Sequence, residues 1–238
     1  MSASPRRQQI DAETRDCRAL PADCLAAIIS LTSPLDACRW SVVSPFFNAI
    51  VSSDAVWVNF LPSDYQNLVP ASRSTSSLKD LYLSLCDHPV LIEDGKKAFS
   101  LHKRSGKKCY MLAARDLAII WGDNPHYWSW NSIKIPELLS VCWFEIVGRI
   151  STWKLSSMTH YKAYLVFKLA AGFYGFTNEH VEATVRLSGT EGLQRTVFLH
   201  AEDEDIQNDY QYPVERGDLA RASWKSGVII EGIEIRPN

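Results

Sequence analysis

The sequence predicts an α+β protein, a small N-terminal helical unit followed by an antiparallel β-sandwich. Two observations carry this. Between Leu20 and Pro62, apolar residues recur at helical spacing and are punctuated by Ser-Pro steps. From about Cys109 the period changes to two, as where Tyr161, Ala163, Leu165, Phe167 and Leu169 alternate with Lys162, Tyr164, Val166 and Lys168. No strand-like run is followed by a convincing helix of about 10–15 residues, which disfavours a parallel α/β sheet.

Taken in order, residues 1–18 are polar and charged and read as a disordered tail. Residues 19–62 form the helical unit. Leu25, Ile28 and Ile29 mark one face of a first helix, and Pro21 suits its start. Ser33-Pro34 breaks it, and Leu35, Cys38, Val42 and Val43 repeat the spacing in a second helix. Ser44 caps and Pro45 opens a third, with Phe46, Phe47, Ile50 and Val51 as its stripe. Asp54 is read as the cap of a last short turn that carries Val56, Trp57, Phe60 and Leu61 and stops at Pro62. A unit this short buries only a thin core. It nevertheless has more large apolar residues than one face per helix requires. Leu20, Pro21, Leu35 and Trp57 are therefore expected to stay exposed until a partner covers them.

Residues 63–105 read as a linker, with one short helix at Leu78–Cys86 and a basic loop holding Lys96, Lys97, Lys103 and Arg104, followed by Lys107 and Lys108. The basic run fits a solvated loop; a nuclear address or a polyanion site are the alternatives. Residues 106–238 read as the β domain, with further strand-like alternation at 142–150, 181–187 and 233–236.

Composition narrows the function. The 238 residues carry a net charge of −2, which gives no global pull toward nucleic acid or an anionic membrane. The N-terminus has no apolar core of a signal peptide, and no run of about 18 apolar residues occurs. None of the six cysteines forms a C-x-x-C pair or lies at zinc spacing from a histidine, so they read as free thiols in a reducing compartment, cytoplasmic or nuclear. No nucleophile elbow, zinc-protease, Walker or dinucleotide motif is present. The acidic run Glu202–Asp205 lacks the spaced ligands of a calcium loop, and Arg216-Gly217-Asp218 is treated as coincidence. The expectation is a protein with no catalytic residues, no metal and no cofactor.

One cluster stands out. Trp121, Tyr127, Trp128 and Trp130 crowd a short stretch with Gly122, Asp123, Asn124 and Pro125. Sugars present apolar C–H faces beside hydroxyls, which suits flat rings flanked by amide and carboxylate groups. Trp128 and Trp130 are two apart and share a face in extended chain. The competing reading is that these tryptophans pack the core.

Two resemblances sharpen the picture. The stretch from Leu20 to Trp57 resembles an F-box. It has the Leu-Pro opening, Ile28-Ile29-Ser30, Pro34-x-Asp36-x-Cys38-Arg39, Val43-Ser44 before an aromatic, and Asp54-x-x-Trp57. It departs from the pattern at Trp40, where a small or polar residue is expected. The blocks beginning at Cys109, Val141 and Trp224 resemble the phloem-lectin, Nictaba-like family, and the order F-box then phloem-lectin domain is that of plant F-box proteins of the PP2-B type. Between Asp218 and Trp224 only Leu219–Ser223 stand where the family carries a strand, a turn and a further strand.

The resemblance implies a jelly-roll-like sandwich and a substrate-recognition subunit of an SCF ubiquitin ligase. It implies docking on the Skp-type adaptor, and through it on a cullin ligase, by Leu20, Pro21, Leu25, Ile28, Ile29, Pro34, Leu35, Cys38, Val42, Val43, Phe47 and Trp57. The β domain would bind a target, an N-glycoprotein in the lectin reading, with no nucleic-acid or membrane partner. It implies carbohydrate contacts at Trp121 and Trp128, to which the composition of the cluster adds Trp130 as a ring on the face of Trp128 and Asp123 and Asn124 as hydroxyl partners. The alternative is a carbohydrate-binding lectin that acts independently of ubiquitination.

Overall fold

The computed structural model describes residues 20–73, 75–131, 135–176, 181–197, Leu199 and 224–238. The expected tail at 1–18, the acidic run 202–205, the tripeptide 216–218 and the shortened stretch 219–223 lie outside them. The fold is α+β, with the helices first and the strands after.

The helical unit is α1 (Ala22–Ser30), α2 (Pro34–Ser41), α3 (Pro45–Val51) and α4 (Asp54–Trp57), followed by α5 (Tyr65–Leu68) and α6 (Leu78–Asp87). The Ser-Pro steps work as their chemistry requires. Ser33 Oγ accepts from Asp36 N at 3.1 Å and Ser44 Oγ from Phe47 N at 3.3 Å, and each proline sits at a first helical position where no N–H is needed. At α4 the expected cap is displaced by one residue. Ser53 is the N-cap, and the Asp54 carboxylate instead accepts from Leu78 N at 2.8 Å, tying the start of α6 to α4.

The strands are β1 (Val90–Ile92), β2 (Lys97–Leu101), β3 (Lys108–Ala113), β4 (Ala118–Ile119), β5 (Trp128–Trp130), β6 (Pro136–Leu138), β7 (Ile146–Val147), β8 (Tyr161–Tyr174), β9 (Val181–Val185), β10 (Leu193–Val197) and β11 (Ser226–Pro237). Every pairing between them is antiparallel. Seven form one sheet; β4–β7 and β9–β10 are separate pairs.

The spine of the sheet is β11. It pairs with β8 along nearly its whole length, while its other edge is shared end to end: Ile229 faces Glu137 of β6, and Gly232–Ile235 face β3. The hand-over coincides with a register shift between Ile230 and Gly232. Glycine is required there. Its φ is +157°, and a Cβ would lie 2.1 Å from the Leu112 carbonyl oxygen.

The stretch expected to be a linker is not one. Residues 90–101 hold β1 and β2, which extend the sheet beyond β3. The reason is the alternation Lys97, Phe99, Leu101, which puts Phe99 and Leu101 into the core together with Val90. Three of the six basic residues in the run are held in ion pairs. Lys97 lies between Glu93 and Asp116, Lys103 Nζ is 3.0 Å from Asp87, and Lys108 Nζ is 2.8 Å from Asp64. The alternation at 142–150 yields only β7. Trp143 turns outward, and Gly148 presses against Ile233, Leu112 and Leu117, where a Cβ would be 2.9–3.2 Å from their methyls.

Two cores result. One joins Leu25, Ile29, Phe47, Val51, Val56 and Trp57 of the helical unit to Leu81, Tyr82 and Leu85 of α6 and to Val90, Phe99, Leu101 and Tyr110 of the sheet. The other lies under β5, β6 and β11, around Trp128, Leu138, Val141, Phe176, Val228 and Ile230. The first core crosses the expected domain boundary at residue 106. Tyr82 OH reaches the carbonyls of His102 and Lys103 at 3.2 and 3.1 Å, and Leu35 N donates to Arg104 O at 3.4 Å, so the β2–β3 turn rests on the helices.

Candidate functional site

Two surfaces bear the chemistry expected from the sequence, one on the helices and one at the edge of the sheet.

On the helices, the structure divides the twelve expected docking residues. Leu20, Pro21, Ile28, Cys38, Val42 and Val43 are exposed, and Leu35 is half-buried. Leu25, Ile29, Pro34, Phe47 and Trp57 are buried and hold the unit together from inside. Trp57, expected to be open, is 0% exposed. Its ring is 5.1 Å from that of Tyr82, and its Nε1 donates to Val51 O at 2.6 Å. The aromatic that closes the helical stretch is claimed by α6, a helix of the stretch expected to be a linker.

What remains outside is an apolar surface. Ile28 is 52% exposed and Val42 84%, and two residues absent from the expected set join them, Leu31 at 86% and Trp40 at 38%. Leu31 lies three residues after Ile28, so helical spacing alone places it on the same face. Apolar surface left exposed in this way is a common mark of an interaction site. Beside it lies a shallow, open depression of about 330 Å³ lined by Thr32, Asp36, Arg39, Trp40 and Val43. Its rim is charged. Hydrogen bonds from Ser33 and then from Arg39 hold the Asp36 carboxyl below its usual range.

At the sheet edge, the turn preceding β5 is built by backbone bonds from Asn124 N to Trp121 O (2.9 Å) and from Trp128 N to Asn124 O (3.0 Å). Trp121 sits at φ +51°, which turns its side chain out to 42% exposure. Its ring lies 5.2 Å from Tyr127. Asp123 is exposed beside them, and Asn124 Oδ1 accepts from His126 N at 3.0 Å.

Trp128 and Trp130 do share a face, but it is the inner one. Trp128 is 1% exposed and donates through Nε1 to Ile120 O at 3.0 Å; Trp130 is half-buried, donates to Gly122 O at 2.6 Å and is covered by the Arg115 guanidinium 3.6 Å from its ring centre. The expected contact set is thereby redistributed. Trp128 shapes the turn from beneath, and the open ring pair is Trp121 with Tyr127. Tyr127, a member of the aromatic cluster in the sequence but outside the expected contact set, lies in the register opposite to Trp128 and Trp130.

Among the described residues, no group of three or more His, Cys, Asp or Glu side chains is placed to hold a metal ion, and no helix is long and apolar enough to cross a membrane. Cys24, Cys38, Cys86, Cys109 and Cys142 are free thiols.

Comparison with known proteins converges on one group. Residues 107–237 match the phloem protein 2 family. Over 98% of both chains, the sequence is 41% identical to the F-box protein PP2-B10 of Arabidopsis thaliana. It is 42% identical to the putative F-box protein PP2-B2 of the same plant, over 92% of this chain and 82% of that one, and 43% identical to the putative F-box protein PP2-B12, over 92% and 96%. The PP2-B10 alignment runs over 266 positions against the 238 residues present here, so at least 28 positions of that relative have no counterpart in this chain.

Proposed function

The chain belongs to the plant F-box proteins that carry a phloem protein 2 domain, and on that premise we propose that it is the substrate-recognition subunit of an SCF ubiquitin ligase. In this reading the exposed face of α1 and α2 docks on the Skp-type adaptor, and through it on a cullin. The β domain holds a target protein in the cytoplasm or nucleus. The chain performs no bond chemistry of its own; it raises the effective concentration of target lysines beside the ubiquitin-loaded enzyme.

The observation that carries the reading is the uncovered apolar surface of Ile28, Leu31, Val42 and Val43, on helices whose opposite face is locked into the protein's own core. Such residues contribute roughly 1.5–3 kcal/mol each when buried by a partner. The test is co-purification of the full chain with a plant Skp-type adaptor. Ile28→Asp combined with Val42→Asp should abolish capture while the melting temperature stays within about 2 °C of wild type, because both side chains already face water. Unchanged capture would refute the docking face.

A second reading is favoured by the Trp121–Tyr127 ring pair. Here the target is recognised through an attached N-glycan, or the chain acts as a lectin without the ligase. A glycan array on the full chain tests it, with Trp121→Ala as the control.

A further inference from the structure

We propose that the outer edge of β8 takes up an extended segment of a partner protein as a further strand, a segment in which apolar residues alternate with acidic ones. The edge lies on the side of β11 opposite to β3 and to β6, and so apart from the aromatic turn. As a target site it rests on the role proposed for the β domain; as a binding edge it needs nothing from the helices.

A sheet edge is a row of backbone N–H and C=O groups ready to pair, and proteins blunt such edges by keeping them short, bulged or rich in lysine and proline. The seven-stranded sheet ends in three strands, β1, β5 and β8. β1 and β5 have three residues each, whereas β8 has 14. Among the described residues, β8 pairs with β11 alone. It contains no proline and is mostly apolar, with Lys162 and Lys168 as its charged residues. From Tyr161 to Leu169 every β8 residue has a partner on β11, so the edge is regular over that stretch. About half of the backbone groups of such a strand point away from its partner.

The two faces of β8 specify the added strand. Ala163, Leu165, Phe167 and Leu169 lie opposite Ile235, Ile233, Ile230 and Val228. Leu165, Phe167 and Leu169 pack against the second core and are half-buried at its margin. A strand laid along the edge brings its alternate apolar side chains beside them. The opposite face is basic: Lys162, Lys168 and, across on β11, Arg236 are exposed there. The carboxylates beside them are already engaged, Glu231 with Lys168 and Glu234 with Arg236. Arg236 also covers the Tyr164 ring, 4.2 Å from its centre, which holds the guanidinium over β8. Carboxylates on the added strand opposite Lys162 and Lys168 are the complement of this face.

The same charges disfavour a second copy of this chain. A two-fold pairing that uses the whole regular stretch is antiparallel and centred on Leu165, and it sets Lys162 opposite the second copy's Lys168 at both ends. Registers that avoid this leave part of the regular edge unpaired, and β8 has no carboxylate to offer in return.

The test uses the full chain and the fluorescent-labelled peptide Thr-Glu-Val-Thr-Val-Thr-Val-Glu-Thr, whose glutamates have the spacing of Lys162 and Lys168. Anisotropy should show binding below about 1 mM. Replacing both glutamates by lysine should weaken it about tenfold or more. Lys162→Gln combined with Lys168→Gln, both exposed side chains, should weaken the parent peptide about three- to tenfold and flatten its salt dependence. Peptides N-methylated on alternate residues separate strand addition from mere attraction. One set should abolish binding, and the complementary set should bind within about threefold of the parent. Bound peptide should also slow amide exchange at alternate residues between Lys162 and Leu169.

Equal binding by both N-methylated sets, or no binding of the parent up to about 1 mM, overturns the proposal while adaptor capture by the same chain still decides the ligase reading. Outer-edge amides already protected in the free monomer mean that the edge is covered within the chain, which overturns it too. Protection that grows with chain concentration, together with a dimer in solution, gives the edge to a second copy and has the same consequence. A chain that binds the peptide in one N-methyl register but captures no adaptor upholds the edge and defeats the ligase reading.

Discussion

Replacing Trp57 with alanine tests whether the helices and the first three strands are one cooperative unit. The ring is wholly buried between Phe60, 5.5 Å away, and Tyr82, 5.1 Å away, and its Nε1 is hydrogen-bonded to Val51 O. Truncating a buried tryptophan costs about 3–5 kcal/mol. Losing the Nε1 donor to the Val51 carbonyl adds about 1 kcal/mol. The sum, about 4–6 kcal/mol, is a large share of the roughly 5–15 kcal/mol by which a domain is stable.

Because Tyr82 carries the contact from Trp57 to the β2–β3 turn, the loss should not stop at the helices. Urea unfolding followed by far-ultraviolet circular dichroism should shift by about 2 M, taking a slope near 2.5 kcal/mol per molar. Amide exchange at Tyr110 and Leu112 of β3 should accelerate in parallel with that at Leu25 and Ile29. The reasoning is refuted if the helical signal is lost early while Tyr110 and Leu112 stay protected to the wild-type midpoint. That result would make the shared core a mere contact between two independent domains.

Three further outcomes are expected. Trp121→Ala should remove any glycan binding with stability within about 0.5 kcal/mol of wild type, whereas Trp128→Ala should cost about 3–5 kcal/mol; a glycan titration paired with a thermal melt separates the two. Burial pushes the Cys86 thiol up to about 11 and the Cys109 thiol up to about 12, so a maleimide assay at neutral pH should label exposed Cys24 and Cys38 first. Each buried thiol ionises earlier in the unfolded chain, so its contribution is intact below about pH 8.5 and is lost as pH rises toward 11 and 12. Stability measured across that window should fall by up to about 1.4 kcal/mol per pH unit per thiol, and a flat profile would contradict the burial. Gly232→Ala forces a Cβ against the Leu112 carbonyl and should destabilise by about 3 kcal/mol or more, read as a lower urea midpoint.

The helical half was legible in the sequence for a simple reason. Ser33-Pro34 and Ser44-Pro45 are local punctuation, and caps act within three residues. The α+β order and the strand β8 were legible from period-two alternation, which runs over 161–169, whereas β11 showed it only at 233–236. What escaped depended on partners distant in sequence. Val90 to Leu101 offers runs of only three and five residues, and the lysines in and after it resemble a loop until Asp116, Asp87 and Asp64 are brought to Lys97, Lys103 and Lys108. Trp57 looked surplus because the ring that covers it, Tyr82, is twenty-five residues away. At 142–150 the alternation was real, but Gly148 lies against the side chains of the main sheet and leaves the segment only β4 to pair with. In the aromatic loop, residue type drew attention to the right turn, but register decided which rings reach water, and register was set by the pairing of Trp128 with Leu138.

The shared edge of β11 has a consequence for reach. Its position 229 carries the two strands that lead to the aromatic turn, and its positions 232–235 carry the three-stranded piece on which the helices sit. At about 3.3 Å per residue, these attachment points are on the order of 13 Å apart along a single strand. Among the described residues, β11 runs between them unbroken apart from the bulge at Gly232. In an assembly of the proposed kind, anything held at the outer turn would keep one attitude to whatever the helices rest on, and the choice of lysine would fall to the target's own shape and flexibility.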